Sequence, residues 1–406
     1  MINILINAYA ICPNKGSEPG MGWNWMTHIA RHNRVFVITE SEFRDILLLE
    51  TEKLSYKENI QYYFIDVSEE TRAMCWDQGD WRFYPRYKKW QKQAYYLALD
   101  ICRENKIDII HQLNMVGYRE PGYLWKIENI PFVWGPIGGF INMKLPFIFS
   151  LDKKDVVVNV VRNIVNFFQS RFLWRVYAAI NRADLLISAN GVSKRSIRKI
   201  FNKGSIVIHE TGTSNEPPVC YPKINDSVIH ISWAGKVIPR KGLAIVLKSL
   251  ALVRHKAFVL DVVGVGKDLN NMKNLAEKLG ISDCVKWHGE LSLSETHRVI
   301  GQSDLFFLSS FLDETSTVVL EALYLGTPVL CHDYFGFGEV VDESCGFKIP
   351  MVNAKTSILD FSDILNSLNK AQLNEMSAMA IKKAVYYNYE KKSEQLNTLY
   401  NSLLDK

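Results

Sequence analysis

The 406-residue chain has no uncharged apolar run of eighteen residues or more, so no transmembrane helix is expected. Its first residues, MINILINAYA, are apolar but lack a basic stretch ahead of them. They read as a strand and not as a secretion signal. The seven cysteines, at 12, 75, 102, 220, 284, 331 and 345, include no Cys-x-x-Cys and no clustered Cys/His pair. That argues against a zinc site, and their apolar surroundings suit reduced thiols in a cytoplasmic protein. A net charge of only +5, with the basic residues scattered, gives no footprint for nucleic acid. There is no Asp-x-Asp clamp, no GxxxxGK[ST] phosphate loop and no GxSxG elbow. What survives these exclusions is a cytoplasmic globular protein whose membrane contact, if it has one, is peripheral.

Hydrophobic content of 48% with 22% charged residues is enough for sizeable cores, and the length implies two domains. The first half opens with a strand at 2–9, a glycine-rich loop at 16–22, a helix at 23–31 and a strand at 34–39. Further strands are expected at 107–111, 131–135 and 185–189. Glu216-Pro-Pro-Val-Cys-Tyr-Pro222 reads as a linker. A second cycle follows, with strands at 229–234, 258–263, 284–288, 305–308 and 328–331 and helices at 243–254 and 268–279. Continuous apolar strands alternating with amphipathic helices imply parallel sheets covered on both faces. The expected fold is therefore α/β, two Rossmann-like doubly wound domains facing across a cleft. The expected boundaries are 1–215, 216–385, and a C-terminal helix at 386–406 crossing back to the first domain.

The segment LFFLSSFLDETSTVVLEALYLGTPVLC, residues 305–331, carries the strongest functional signal. It reads as a strand, a polar loop, an amphipathic helix, Gly-Thr-Pro and a second strand. Asp313 and Glu321 are roughly 12 Å apart or less along the helix axis. That span suits the distance from a transferred sugar to the ribose of a nucleotide-sugar. Between them, the helix N-terminus at Thr317 and Val318 offers free backbone N–H groups to a diphosphate. Thr315, Ser316 and Thr317 are the candidate N-cap. Glu321 sits among apolar residues and needs a partner, which two ribose hydroxyls would supply, or a lysine if it is only a surface acid.

Upstream, Gly235-Lys236-Val237-Ile238-Pro239-Arg240-Lys241-Gly242 follows a strand. Two cations at a strand's carboxyl end suit a diphosphate leaving group, whose charge grows as the sugar–phosphate bond breaks. They would equally suit a solvated basic turn. In the first half, the glycines of Gly16-Ser-Glu-Pro-Gly20-Met-Gly22 and of Gly135-Pro-Ile-Gly138-Gly139 let backbone approach a ligand, or simply make turns. His111 ends an apolar strand, where a histidine is either structural or faces a ligand.

Two segments break the alternating pattern. Residues 81–96, WRFYPRYKKWQKQAYY, interleave aromatic and basic side chains. Residues 156–180 are apolar on part of their surface and carry Arg162, Arg171 and Arg175. Both are either ordinary excursions packed on the first domain or an interfacial surface for anionic lipid or a lipid-linked acceptor.

Taken together, these motifs resemble the retaining glycosyltransferases of family 4, with the GT-B fold, of the kind that builds bacterial surface polysaccharide. The resemblance spans nearly the whole chain. It rests on GSEPGMGWNW, HQLNMVGYREP and WGPIGGF in the first half, and on GKVIPRKGL, VVGVG, WHGELSLSE and DETSTVVLEALYLGTPVL in the second. It implies that Glu321 holds the ribose hydroxyls and Asp313 the donor sugar. Thr317 and Val318 would bind the distal phosphate through backbone, while Lys236 and Lys241 stabilise the leaving diphosphate. The 287–291 loop, ending at Leu291, would hold the base. Gly20 and Gly22 would approach the donor phosphates, Gly138 the ligand, and His111 the reacting sugar. Glutamate is commoner than aspartate at the first acid, so Glu314 is an alternative sugar contact. Lysine replaces the usual arginine at 236, which loses bidentate phosphate contact unless Arg240 compensates.

The implied reaction moves a hexose or N-acetylhexosamine from a nucleoside-diphosphate sugar to a hydroxyl of a glycan or lipid-linked oligosaccharide, with retention. No cofactor and no obligatory metal are expected, and no nucleic acid partner. The protein would act in the cytoplasm or peripherally on the inner face of the plasma membrane. The alternatives are a nucleotide-sugar 2-epimerase on the same fold and a non-catalytic nucleotide-sugar-binding subunit.

Overall fold

The computed structural model describes residues 1–13, 15–77, 80–254 and 257–405. Strands β1 (Asn3–Asn7), β2 (Arg34–Glu40), β3 (Ile60–Ile65), β4 (Ile109–Gln112), β5 (Phe132–Ile137), β6 (Leu185–Ser188) and β7 (Ile206–Val207) form one sheet in the order 3-2-1-4-5-6-7. Every pairing in it is parallel. A second parallel sheet contains β8 (Ile229–Ala234), β9 (Phe258–Val263), β10 (Val285–Gly289), β11 (Leu305–Leu308), β12 (Val329–His332) and β13 (Gly346–Ile349), in the order 10-9-8-11-12-13. In each sheet the order reverses once, between β1 and β4 and between β8 and β11. Ligands of open α/β sheets bind beyond the carboxyl ends of strands at such a reversal.

Alternation along the first strand shows how one sheet serves two cores. Ile4 and Ile6 point into a cluster with Val35, Val37, Ile109 and Val133. Leu5 points the other way, into a cluster with Phe36, Trp90 and Ile110.

The chain divides into two compact units. One comprises Met1–Phe140, Phe167–Thr211 and Tyr389–Lys406; the other comprises Ile141–Asn166 and Gly212–Asn388. This differs from the sequence expectation in giving residues 141–166 to the second unit. The boundary at 166/167 falls inside one helix, Lys153–Phe172, so no composition shift marks it. The last helix, Tyr389–Leu404, belongs to the first unit, where Tyr400 is fully buried.

Several elements differ from the sequence reading. The expected loop at 16–22 is the start of a helix, Ser17–Ala30, because Pro19 is tolerated in a first turn. The strands β3, β7 and β13 were not foreseen. β3 is a half-buried edge strand without clean alternation, β7 has only two residues, and β13, Gly346-Phe-Lys-Ile, is an edge strand with a glycine and a lysine in place of a continuous apolar run. All seven cysteines are free.

Candidate active site

In the second unit, β8 runs into Gly235 and Lys236, and β11 runs into Ser309 and Ser310, on either side of the strand-order reversal. The loop after β8 lies against the loop after β9. Gly235 N–H donates to Val263 O at 3.0 Å and Val237 N–H to Val265 O at 2.9 Å. This close approach requires glycine: at Gly264 (φ +133°) a Cβ would stand 1.9 Å from the Gly235 carbonyl oxygen. A single 3-10 turn, Pro239–Lys241, then ends at Gly242 (φ +72°), where a Cβ would meet Ser309 O at 2.3 Å. The basic turn is thereby clamped against the loop after β11.

That clamp brings Lys241 to Asp313, with Nζ 2.5 Å from Oδ2 and both side chains largely enclosed (17% and 15% exposed). Burial alone would raise the Asp313 pKa. The charges of Lys241 and Arg240, the bond from Lys241 and the Glu314 N–H together hold it below the usual carboxylate range. Arg240 spends one guanidinium N–H on Leu312 O at 2.9 Å, and its own carbonyl accepts from Phe311 N–H. Its role is to hold this loop. Lys236 is exposed and makes no ion pair among the described residues.

The helix Thr317–Tyr324 begins directly beyond Asp313 and Glu314. Of the expected hydroxyl caps, Ser316 occupies the N-cap position with φ +61°, and its own side chain makes no capping hydrogen bond. A serine at positive φ is a strained conformation retained at a loop whose surroundings dictate it. Thr317 and Val318 are half-buried at this end of the helix, and Glu314 O is taken by Gly336 N–H at 2.8 Å.

Glu321 lies one face along. Its side chain is 24% exposed and, among the described residues, pairs with no lysine. The nearest imidazole is that of His297, whose Nε2 is 3.9 Å away and makes no hydrogen bond. The carboxylate therefore keeps acceptor capacity for hydroxyl donors. Leu291 follows the turn at Gly289 (φ +69°) beyond β10 and is half-exposed. A cavity of about 410 Å³ in the same unit, lined among others by Val237, Pro239, Leu243, Lys248 and Asp268, contains none of the expected site residues.

In the first unit the expectation for His111 needs correction. The ring is completely buried. Nε2 is 2.8 Å from the Gly135 carbonyl oxygen, which can only accept, so Nε2 carries the proton. Nδ1 then accepts from the Tyr400 hydroxyl at 2.7 Å. Burial pushes its pKa down to about 4, against the bond to Gly135. With both nitrogens engaged, His111 positions the end of β5 and presents nothing to a substrate. An apolar strand carrying one histidine looks the same in sequence whether its end is open or covered.

Gly20 and Gly22 are likewise not in a loop. Both are buried in the helix Ser17–Ala30, where a Cβ at Gly20 would meet Lys15 O at 2.0 Å and one at Gly22 would meet Ala10 O at 2.7 Å. They pack the helix against the chain that precedes it. Gly138 pairs with Gly117, its N–H donating to Val116 O at 2.7 Å.

What sequence reasoning missed is the acid two residues ahead of Gly20. Glu18 accepts from Val116 N–H at 2.8 Å and lines a cavity of about 210 Å³ with Tyr84, Tyr87, Asp80, Met115 and Glu120. Burial raises the Glu18 pKa, and the Val116 bond opposes the rise. Glu120 is held by Arg175 through two bonds, Nη2–Oε1 at 2.5 Å and Nη1–Oε2 at 2.8 Å. The available signal was a carboxylate inside a motif whose role had been assigned to its glycines.

The comparisons with known proteins bear on both units. Residues 223–384 match the family described as Glycosyl transferases group 1. A D-inositol 3-phosphate glycosyltransferase of Corynebacterium jeikeium is 28% identical over 191 residues, covering 43% of each chain. The lipopolysaccharide core biosynthesis glycosyltransferase LpsE of Rhizobium meliloti is 30% identical over 140 residues, covering 34% of this chain and 38% of that one. The chain thus spans less than half the length of these curated relatives. Over the whole chain, the fold is that of the Anabaena protein HepE solved in complex with UDP and glucose. That match has a TM-score of 0.61 and 15% identity, and covers 99% of this chain and 100% of that one. Both sheets, their order and this whole-length match make the architecture GT-B, with two Rossmann-like domains.

Proposed function

We propose that the protein is a retaining glycosyltransferase that moves a hexose or N-acetylhexosamine from a nucleoside-diphosphate sugar to a hydroxyl of a glycan or lipid-linked acceptor, in the building of surface polysaccharide. One arrangement carries this reading. At the β8/β11 reversal a largely enclosed Lys241–Asp313 pair, the helix start at Thr317 and Val318 and a carboxylate at Glu321 follow one another along the chain.

Each part has a chemical task in this scheme. Glu321 accepts from the two ribose hydroxyls. The backbone N–H groups at Thr317 and Val318 receive the distal phosphate, where the helix dipole favours negative charge. Lys241 leaves Asp313 for the diphosphate and neutralises it as the sugar–phosphate bond breaks, with Lys236 as the outer cation. Asp313, so released, accepts from hydroxyls of the donor sugar, with Glu314 as its alternative. The turn ending at Leu291 borders the base. A diphosphate oxygen takes the proton of the attacking hydroxyl, on the same face from which the diphosphate departs, which accounts for retention. Two lysines and a helix start supply the positive field that a metal clamp would otherwise provide. The acceptor belongs to the first unit, where Glu18 can accept from its hydroxyls. Support for a cell-surface product comes from the likeness to LpsE.

Thermal melts against UDP-, GDP-, ADP- and dTDP-sugars would identify the donor, because a ligand that binds only the folded state raises the midpoint. Proton NMR of the product should then show the anomeric configuration of the donor. An inverted product, or an epimerised donor formed without acceptor, would overturn the reading.

A further inference from the structure

The helix Lys153–Phe172 is built inside out. Its large apolar residues Val157, Val158, Val161, Ile164, Val165, Phe167, Phe168 and Phe172 are all exposed, Phe168 at 54% and Phe172 at 71%. At 3.6 residues per turn all but Val158 and Phe167, which flank it, fall on one stripe about 100° wide, the width of face that a globular protein normally turns toward its core. The inward side is polar. Asn163 donates to Met143 O at 2.8 Å and Asn166 to Asn142 Oδ1 at 2.7 Å, while Asn166 and Ser170 are buried. The next helix, Trp174–Arg182, continues the exposed surface with Trp174 and Tyr177. Single exposed apolar residues are ordinary, but a continuous stripe of them marks a surface that something covers.

Charge identifies the occupant. From Val156 to Ala183 there is no acidic residue, and Asp155, the one acid of the helix, stands 3.6 Å from Lys267. Lys153, Lys154, Arg162 and Arg171 are exposed on the same helix, and Arg171 also lies over the Phe167 ring at 3.8 Å. Arg175 is excluded from this set because Glu120 holds it. An apolar face edged with cations, with aromatic rings gathered toward one end, fits the boundary between acyl chains and anionic headgroups. A second copy of the chain fits poorly, because a two-fold contact through this stripe would set an edge of exposed lysines and arginines, with Asp155 its one acid, against itself. No helix among the described residues is long and apolar enough to cross a membrane.

We propose that the outward face of the helix Lys153–Phe172, extended by Trp174 and Tyr177, lies in the surface of a bilayer that contains anionic lipid. The inference stands apart from the transfer reaction, and its test uses neither donor nor acceptor. Wild-type protein is sedimented with vesicles containing phosphatidylglycerol and with vesicles of phosphatidylcholine alone. Stronger binding to the anionic vesicles, weakened by salt, is expected. Ile164→Glu with Phe168→Glu should reduce vesicle affinity at least tenfold while leaving the circular dichroism melt in place. The milder pair Val157→Ser and Val161→Ser gives a second reading should the first variant fold poorly, with several-fold loss expected. Absence of wild-type binding to the anionic vesicles at low salt overturns the proposal, as does twofold or smaller loss in both variants. A wild-type dimer that the same substitutions convert to monomer, without any vesicle dependence, would assign the stripe to self-association instead.

Discussion

The two sheets reverse their strand order in the same way yet arm the reversal with opposite chemistry. Beyond β8 and β11 stand Lys236, Arg240 and Lys241, with Asp313 kept ionised by its neighbours. Beyond β1 and β4 stand a half-buried acid, aromatic rings and a neutral histidine. There, Glu18 is pushed toward its protonated form by burial, and His111 is closed off by Tyr400 and Gly135. Topology places a site, and the loop residues decide what sign of charge it welcomes. The cationic end suits a departing diphosphate. The acidic and aromatic end suits an uncharged ligand rich in hydroxyls.

The difference extends to proton uptake, where the largest effect is expected. His111 and His209 in the first unit are both lowered to about 4, chiefly by burial, and the half-buried His28 is lowered similarly. In the second unit, burial lowers His332 to about 3. A histidine kept neutral when folded takes up its proton only on unfolding. Stability is therefore whole above the unfolded value of 6.5 and falls as pH drops toward the folded value. At about pH 5 each fully buried histidine costs about 2 kcal/mol, so the first unit loses about 4 kcal/mol and the second about 2 kcal/mol. Hydrogen exchange at about pH 5, corrected for its intrinsic pH dependence, should show β1 and β4 opening before β8 and β11. Simultaneous opening, or the reverse order, would break the contrast.

The next largest effect is at the cationic end. Asp313→Ala should cut transfer by about 10²–10³-fold at saturating donor, as expected when a preorganised charged group is removed from a reacting centre. Glu314→Ala should change it less than tenfold. Measuring both kcat values decides which acid meets the sugar. Equal losses would leave the Lys241 pairing without functional meaning.

The second sheet's chemistry was more legible in the sequence than the first's, for a physical reason. Lys241 and Asp313 are 72 positions apart, but each follows a recognisable apolar strand of the reversal, so strand order and the glycine at 242 bring them together. In the first unit the decisive contacts join elements that strand order does not pair: His111 to Tyr400 of the last helix, Glu120 to Arg175, and Glu18 to Val116. The amphipathic helices make the same point. Residues 81–96 and 156–180 both mix apolar and basic side chains, and either could have faced a membrane. In the helix Phe83–Glu104 the rings of Phe83, Tyr87 and Trp90 enter the core, Arg82 pairs with Asp80, and Arg86 pairs with Glu70. Trp81, Tyr84, Lys88 and Lys89 stay exposed on its other side. In the helix Lys153–Phe172 the asparagines turn inward and the apolar stripe turns out. Periodicity reveals that a face exists; only the tertiary partner decides which way it points.

Of the two smaller effects, the larger is at Glu321. Glu321→Gln keeps the shape but loses the charge that strengthens bonds from ribose hydroxyls. The ribose is remote from the bond being broken, so ground and transition states should lose the same interaction. The donor KM should rise about tenfold with kcat nearly unchanged. A fall in kcat at constant KM would move Glu321 from nucleotide recognition to the reacting centre.

The smallest effect should come from the first unit, through Glu18→Gln. The substitution retains an acceptor oxygen for Val116 N–H, so folding should be little affected. A carboxyl whose pKa burial already raises also loses less by becoming an amide than a fully ionised one would. The acceptor KM should rise by about three- to fivefold, corresponding to about 0.6–1 kcal/mol, within the range of one ordinary hydrogen bond. Donor-induced thermal stabilisation should stay as in wild type, because the residues proposed to bind the donor lie in the second unit. If Glu18→Gln instead weakened donor stabilisation and left the acceptor KM untouched, the acid would belong to the donor. The two ends would then differ in sign of charge without dividing the substrates between them.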